Sequence, residues 1–458
     1  MTAASALFEP EAEAADALAL AERVVEAATR AGATEAETLV VSGDSALTRF
    51  ANSQIHQNVS ETGAYINLRF VVGKRVAVAS SGRTDDEGIR GLVERAAAIA
   101  RHVQELDDWG GLPEPGQADA DPAAFSAGTA SATPELRAEG ARAVIAASDA
   151  ARATAFGSFK TEVEATAVAN SRGIRSAEAR TSSQLLAVLV AADGGSGYAE
   201  ACAVDATTID GAAIGREAAE KARASGSAVA IDPGEYPVVL EPYAVVDLLD
   251  MCGYLGFSAL AVQEGRSFFE NGRPIGSKLV TIVDDGHDHA GVPMSFDYEG
   301  VPKQRVTLVE AGVCRELVYD QQTAARGGVR STGHGLPAPN TYGPFPINMS
   351  MAAGDATREE LIGALDRGLL VTRFHYTNPV HPKRAIVTGM TRDGTFLVEG
   401  GTIVKPVRNL RFTQSYLDAL HGVQAVGRDR KTIKGFLGAS VVPAVRIDAW
   451  TFTGATEP

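Results

Sequence analysis

An internal repeat in the first half of the chain constrains the fold more than any other feature of the sequence. The tripeptide Ala-Asn-Ser occurs at residues 51–53 and again at 169–171, each time within a series of short strand-like runs. A Thr-x-Asp cap with a helical run behind it occurs at residues 84–86 and again at 208–210. Repeated units of this kind stack because one unit alone cannot bury its apolar face. The pattern predicts two β-β-β-α-like repeats in an N-terminal α+β domain.

The elements of this domain follow from the spacing of apolar residues. Helical spacing over residues 11–31 predicts a helix that Gly32 ends, and capped helices are predicted over 87–102 and 212–224. Strands are predicted over 37–42, 47–51, 65–72 and 75–80, with a hairpin turn between the last two. Between the two copies, residues 110–134 are rich in Ala, Gly, Pro, Asp and Ser, which predicts a flexible surface loop.

The pattern changes near residue 230. From there, after one helix, short strands and turns dominate, and hairpin signals stand at residues 392–394 and 399–401. We therefore predict two domains, an α+β domain over 1–230 and a mainly antiparallel β domain over 231–458. Its many short strands favour a strongly curved sheet or barrel.

Composition narrows the classes of function. A net charge of −15 argues against general affinity for nucleic acid or anionic membranes, since phosphate binding requires clustered Lys and Arg. The three cysteines are widely spaced without a Cys-x-x-Cys pair, which suits a reducing interior. The acidic N-terminal segment lacks the basic and apolar regions of a secretory signal, and no apolar run of about 18 residues predicts a membrane span. We expect a cytoplasmic protein.

An ordered series of motifs fills residues 281–335. A strand-like run ends in two acids, Phe-Asp-x-Glu-Gly follows at 296–300, and Ser-Thr-Gly-His stands at 331–334. In this order the stretch resembles the core signature of the TldD/PmbA family, peptidases once described as modulators of DNA gyrase. The resemblance runs from about residue 52 to 430, with further landmarks at 368–372, 387–394, 398–407 and 423–429.

The metal motif of that family is missing. Catalytic members carry His-Glu-x-x-x-His on a helix upstream of this signature, whereas the present chain has Asp-Met-Cys-Gly-Tyr-Leu at residues 250–255. A zinc peptidase needs imidazole or thiolate ligands and a carboxylate that activates water. Asp247 and Asp250 are a poor zinc site by themselves, and they are more typical of solvated or capping acids. The late C-terminal cysteine ligand of the family enzymes is also absent after Cys314.

A relocated metal site is the alternative. His287 and His289 form a His-x-His pair, which on a strand directs both rings to one side. His375 and His381 flank a predicted loop and could supply further ligands if the fold brought the four together. The preceding turn signal at 284–286 makes a surface loop the simpler interpretation of the first pair.

The segment around Ser-Thr-Gly-His is the candidate for peptide binding. Small hydroxyl residues and glycine let a backbone approach closely, and the resemblance to the family's non-catalytic branch is closest here. The candidate residues are Arg330, Ser331, Thr332 and His334, with Asn378 in the divergent segment 374–379 as a fifth. A structural role for His334 in fixing its loop is an equal alternative.

The resemblance implies a function by analogy. It indicates a TldE/PmbA-like subunit without catalytic residues or a cofactor of its own, paired as a heterodimer with a TldD-like homologue that carries the zinc motif. The pair would process unfolded or small peptides, and this chain would add cavity and peptide binding, with the peptide as an added strand. Two alternatives remain open, namely a self-sufficient metallohydrolase with the relocated histidine site and a homodimeric peptide-binding scaffold.

Overall fold

The first half of the chain folds as two copies of one α-β-β-β-α unit. The computed structural model describes residues 8–116 and 119–455. The first unit consists of α1 (Pro10–Arg30), β1 (Glu35–Ala51), β2 (Gln54–Val72), β3 (Arg75–Ser81) and α2 (Asp86–Ala100). After the short α3 (Ala127–Ala130), the second unit consists of α4 (Pro134–Ala150), β4 (Ala153–Asn170), β5 (Arg175–Ala191), β6 (Ser196–Ala203) and α5 (Gly211–Ala224).

The two units join edge to edge into one antiparallel sheet. Its strand order is β3-β2-β1-β4-β5-β6, so β1 and β4 pair at the centre from Glu37 opposite Asn170 to Phe50 opposite Gly157. Both Ala-Asn-Ser tripeptides lie at equivalent turns, between β1 and β2 and between β4 and β5. The predicted repeat is confirmed, and each copy carries an additional helix before its strands.

The strands are longer than predicted. Residues 37–42 and 47–51 belong to one strand, and β2 begins at Gln54, eleven residues before the prediction. The first half of β2 is polar and largely exposed, and its backbone still pairs with β1 from Asp44 opposite Thr62 onward. The alternation of apolar and polar residues in a sequence cannot identify a strand whose two faces are both exposed to solvent.

The segment predicted as a loop, residues 110–134, crosses from the first unit to the second. It contains a 3-10 turn (Pro122–Ala124) and α3, and it buries Leu112 and Ala124 completely. The backbone N–H of Asp121 also donates to Ser295 Oγ at 2.9 Å, so this segment contacts the second half of the chain.

The second half is built on an eleven-stranded, mainly antiparallel sheet. No helix in residues 8–116 and 119–455 has both the length and the apolar character needed to cross a bilayer. The elements, in chain order, are β7 (Gly234–Leu240), α6 (Pro242–Cys252), a π-helical turn (Gly253–Phe257), α7 (Ala259–Gln263), β8 (Ile282–Asp284), β9 (Val306–Glu310), β10 (Val313–Cys314), α8 (Gln321–Gly327), β11 (Met349–Met351), α9 (Arg358–Gly363), β12 (Arg367–His381), β13 (Ile386–Glu399), β14 (Thr402–Pro406), β15 (Leu410–Ser415), α10 (Tyr416–His421), β16 (Val423–Lys434) and β17 (Ala439–Ala455).

Five of these strands close into a ring. The pairings run β7-β12-β13-β15-β17, and β17 returns to β7, so β7 pairs in parallel with β12 and antiparallel with β17. Trp450 is fully buried in the largest core, with ring centroids 4.8 Å from Phe374, 5.3 Å from Phe412 and 5.6 Å from Tyr416. The predicted α+β class with a curved, mainly antiparallel β region is confirmed.

The aromatic core around Trp450 allows a test of this packing. Trp450→Ala removes a fully buried indole and leaves a cavity among three aromatic rings, so we expect a loss of about 3–5 kcal/mol in the free energy of unfolding. Urea denaturation followed by fluorescence and circular dichroism measures it. Val404→Ala, at a half-exposed position of β14, is the matched control and should change stability by less than about 0.5 kcal/mol. Similar losses in both variants would contradict the packing described.

Candidate functional site

The C-terminal end of α6 is where the family resemblance places a metal motif, at residues 250–255. The helix starts with Pro242 in its first turn, where a missing N–H costs nothing. One face of the helix belongs to the core, since Val245, Leu248, Leu249 and Cys252 are all buried. After Cys252 the helix continues into the π-helical turn.

The two acids of α6 are held by hydrogen bonds rather than solvated. Asp247 accepts from Thr377 Oγ1 at 2.6 Å and from the Tyr416 hydroxyl at 2.8 Å. Asp250 accepts the backbone N–H of Phe436 at 2.8 Å. Burial raises the pKa of Asp247 to about 6 and that of Asp250 to about 7, and in each case the hydrogen bonds oppose the rise. The prediction of solvated or capping acids is therefore wrong.

The donor set at this helix end does not fit zinc. Asp250 occupies the first position of the motif, and the last position holds Leu255, which is 1% exposed and part of the hydrophobic core. Zinc sites in proteins use imidazole, thiolate and carboxylate ligands. Within residues 8–116 and 119–455, no group of three or more His, Cys, Asp or Glu side chains is arranged to hold a metal ion.

The four histidines of the relocated-site alternative are spread over two regions. His287 and His289 lie on the loop after β8, and both face Asp121, with Nε2 of His289 2.8 Å and Nδ1 of His287 4.0 Å from Oδ2. His375 and His381 belong to β12. In the described part of the chain these four side chains do not form a metal-binding group.

A polar cleft lies beside the end of α6. It has a volume of about 230 Å³ and opens between the strands β4 to β6 and the second half of the chain. The turn between β16 and β17 forms part of its wall, and the same turn carries the Phe436 N–H that Asp250 accepts. The side chains that line it include Glu162, Glu164, Arg180, Ser182, Cys202, Val292, Met294, Tyr298, Ile347, Asn348, Lys434 and Leu437.

The cleft carries charges of both signs. Arg180 forms ion pairs with Glu164 and, at 3.4 Å, with the buried Glu178. Asn348 donates from Nδ2 to Val292 O at 3.0 Å, while its buried Oδ1 has no hydrogen-bond partner among the described residues. A buried acceptor without a donor is costly, so this oxygen favours a ligand N–H or a water molecule.

Sequence reasoning missed these cleft residues. One signal was available, because polar and charged side chains alternate with period two along β4 at residues 160, 162 and 164. That pattern marks one polar sheet face, but it does not show that a second wall, with Asn348 and Lys434, covers it.

The predicted peptide-binding segment lies away from the cleft wall. None of its candidates, nor Asn378, is among the described residues that line the cleft. Arg330 is exposed, whereas Ser331 is 7% and His334 2% exposed, and Thr332 Oγ1 accepts the N–H of Tyr319 at 2.8 Å. Asn378 is exposed on β12 and donates to Tyr376 O at 2.8 Å.

His334 belongs to a buried charged triad. Asp284 Oδ1 lies 3.0 Å from Lys303 Nζ and 2.8 Å from His334 Nε2, and all three side chains are fully buried. Asp284 Oδ2 accepts the N–H of Asn348 at 2.8 Å. Although burial raises it, the Lys303 ammonium and His334 hold the pKa of Asp284 well below its usual range. Burial and Lys303 lower the pKa of His334 although Asp284 opposes the fall, which favours a neutral ring beside the charged Asp284 and Lys303. This geometry favours the structural role for His334.

The Phe-Asp-x-Glu-Gly motif forms a second buried cluster, against the N-terminal sheet. Asp297 accepts three backbone N–H groups, from Glu299 and Val301 at 2.9 Å and from Gly335 at 2.6 Å. Glu299 pairs with Arg69 at 3.1 Å, and Glu37 lies 3.4 Å from the same guanidinium. Burial, with the neighbouring Glu299 charge, raises the pKa of Asp297 to about 8. The motif therefore joins the two halves of the chain.

The fold has three parts, two α/β units followed by a mainly antiparallel β domain. Models of the PmbA/TldA metallopeptidase match domain 1 at residues 36–100, the central domain at 129–225 and the C-terminal domain at 233–454. The chain belongs to the TldD/PmbA metallopeptidase family, as its resemblance indicated.

Individual relatives agree with this assignment. A metalloprotease TldD homolog of Buchnera aphidicola subsp. Acyrthosiphon pisum is 30% identical over 209 residues, 44% of this chain and 42% of that protein. A metalloprotease of Methanothermobacter thermautotrophicus is 29% identical over 234 residues, 50% of each. The chain thus spans half or less of these curated relatives. The crystal structure of TldE from Thermococcus kodakarensis has a TM-score of 0.87 at 21% identity, covering 95% of this chain and all of that one, which shows the shared fold.

The buried triad leads to a stability prediction. Asp284→Asn keeps the shape of the side chain but leaves the Lys303 ammonium unpaired in the interior, so we expect a loss of about 3–5 kcal/mol in the free energy of unfolding. Urea denaturation at pH 7 measures the change. Asp285→Asn, at the more accessible neighbour, is the control and should cost about 1 kcal/mol or less. Equal effects at both positions would refute the triad.

The acid at the end of α6 leads to a pH prediction. The folded pKa of Asp250, about 7, lies above the ordinary value of 3.8 for an aspartate. The stability that the protonated side chain contributes is therefore complete below the unfolded pKa and is lost as the pH rises through about 7. Asp250→Asn retains an acceptor for Phe436 and cannot ionise. We expect it to stabilise the fold by up to roughly 4 kcal/mol at pH 8, with the gain shrinking toward pH 4. Thermal denaturation across that range, with the exposed Asp429→Asn as control, tests it; a pH-independent difference would argue against it.

Proposed function

We propose that this chain is a TldE/PmbA-like subunit of a TldD/TldE-type peptidase assembly. In this role it holds no catalytic metal and contributes cavity and peptide binding, while a homologue with His-Glu-x-x-x-His supplies the zinc chemistry. The proposal rests on the structure at the end of α6. There Asp250 accepts a hydrogen bond from the backbone N–H of Phe436, and Leu255 is buried in the core. The likeness in fold to TldE of Thermococcus kodakarensis, over 95% of this chain, supports it.

The cleft supports the peptide-binding part of the proposal. It combines ionic side chains with Tyr298, Ile347 and Leu437, which suits an unfolded peptide with mixed side chains. Cys202 of β6 lines the cleft, and within the described residues β6 is the end strand of the six-stranded sheet and pairs with β5 only. A peptide in the cleft would lie over the polar face of β4 to β6, and its addition as a strand would use the edge of β6.

Metal content and activity test this function together. The untagged protein, purified without chelator, should contain far less than one zinc per chain and should not cleave an unstructured fluorogenic peptide. Mixed with the His-Glu-x-x-x-His homologue of the same genome, it should form a complex by size-exclusion chromatography with light scattering. Cleavage should then require both chains.

Two controls make the assay specific. A homologue whose motif glutamate is replaced by glutamine should form the complex without activity. In this chain, Lys434→Met in the cleft should weaken peptide binding, and Lys383→Met in the exposed turn after β12 should not. Near one zinc per chain with cleavage by this chain alone would overturn the proposal, and His287→Ala and His289→Ala would then locate the metal. Peptide binding by a stable homodimer that ignores the homologue would favour the scaffold instead.

A further inference from the structure

A second and larger cavity lies at the other end of α6. Its volume is about 510 Å³, within the range of small-molecule sites, and it is bordered by α5, the first turn of α6, α9 and β14. About nine residues of helix separate it from Asp250, roughly 13 Å at 1.5 Å per residue. It shares no lining residue with the polar cleft.

One wall of this cavity is a network of ion pairs. Lys221 Nζ lies 2.8 Å from Glu217 Oε1 and 2.7 Å from Glu241 Oε2, and Arg358 donates two hydrogen bonds to Glu241 Oε1 at 2.8 and 3.1 Å. Lys431 Nζ lies 2.7 Å from Glu217 Oε2 and donates to the Tyr243 hydroxyl at 3.0 Å. Glu241 and Lys221 are almost fully buried, so this ion pair belongs to the protein interior and not to the solvent-exposed surface.

The network has more cations than acids. Three cations, Lys221, Arg358 and Lys431, face two carboxylates, Glu217 and Glu241. The bonds described leave donors of Arg358 and of Lys431 without a protein acceptor in residues 8–116 and 119–455, because a guanidinium carries five N–H groups and an ammonium three. Both side chains are 41–47% exposed on the cavity side of the network.

Two further acids line the cavity at exposed positions, so its full lining carries four carboxylates and three cations. Asp429 lies 3.8 Å from Arg428, and Glu220 stands on the exposed side of α5. Neither acid forms an ion pair with Arg358 or Lys431 among the described residues, so the unfilled donors of these two cations remain available to an anionic group.

The opposite wall is apolar. Val239, Leu370 and Phe396 form its base, and Ile403 of β14 stands at its side with 40% of its surface exposed. Such a wall accepts an aliphatic or aromatic group of a ligand, since burial of apolar surface contributes about 25 cal/mol per Å².

We propose that this cavity binds a carboxylate attached to an apolar body. The carboxylate meets Arg358 and Lys431, and the apolar part packs against Ile403 and Phe396. Both the C-terminus of a peptide that ends in an apolar residue and a free acid of similar size have this chemistry. This proposal goes beyond the polar cleft, with which the site shares no lining residue.

Isothermal titration calorimetry on the full chain tests the site with three probes. These are N-acetyl-Ala-Ala-Leu with a free carboxylate, its C-terminal amide, and N-acetyl-leucine. We expect the free acid of the peptide to bind at least about tenfold more tightly than the amide, since charge-assisted bonds are the stronger kind. If N-acetyl-leucine binds as tightly as the free acid of the peptide, the site is supported and a small free acid is sufficient as its ligand. If N-acetyl-leucine binds more weakly, the site is supported and its ligand is the C-terminus of a peptide. Binding of none of the probes, or equal binding of acid and amide, overturns the proposal.

Two pairs of variants locate the binding. Ile403→Trp fills the cavity from a half-exposed edge strand, whereas Val404→Trp places the same ring on the other face of β14. Lys431→Met removes a donor, whereas Lys405→Met removes an exposed charge outside the cavity. We expect the first member of each pair to lower affinity for the acid peptide about tenfold or more and the second to leave it unchanged. Retained binding in both Ile403→Trp and Lys431→Met, with native circular dichroism, overturns the proposal.

Discussion

The carboxylate of Asp284 is the interaction on which the second half of this molecule depends. From the end of β8 it binds the Lys303 ammonium, the His334 imidazole and the backbone N–H of Asn348, three segments that are otherwise connected through long loops. A buried charge is tolerated only when its partners are in place, so the position of each segment is set by the other two. Asn348 in turn lines the polar cleft, which ties the cleft wall to this one ionic centre.

A related constraint applies at the end of α6, where the family resemblance places the metal motif of the catalytic members. The side chains there already have other partners. On α6 the side chains that would face an ion are engaged elsewhere, Asp247 with Thr377 and Tyr416, and Asp250 with the turn that walls the cleft. Leu255 belongs to the core, so a histidine there would need a buried polar partner. Through Asp250, the helix therefore holds the turn between β16 and β17 that forms part of the cleft wall.

The sequence predicts the parts of the fold that depend on local pattern. The repeat, the capped helices and the hairpin-rich second half follow from spacing and turn chemistry, because each is decided within about a dozen residues. The polar half of β2 escapes prediction, since its pairing with β1 depends on backbone hydrogen bonds that leave no trace in side-chain hydropathy.

The candidate site is less accessible to such reasoning. The absence of the zinc motif from residues 250–255 can be seen in the sequence, because that motif is a contiguous pattern on one helix. By contrast, the burial of His334 depends on Asp284, fifty residues earlier, and the cleft unites Arg180, Asn348 and Lys434 from distant segments. A single sequence shows which residues can carry charge, but it does not show which of them meet.

The ring of five strands has a consequence for synthesis of the chain on the ribosome. The ring closes only where β7 meets β17, through pairs such as Val238 with Ile447, separated by more than two hundred residues. The sheet of β1 to β6 contains all of its own strands by residue 203 and can form while translation continues. β7 must wait with an open edge until β17 emerges, and contacts of such long range slow folding. The nascent chain is therefore most exposed to misassociation during that interval.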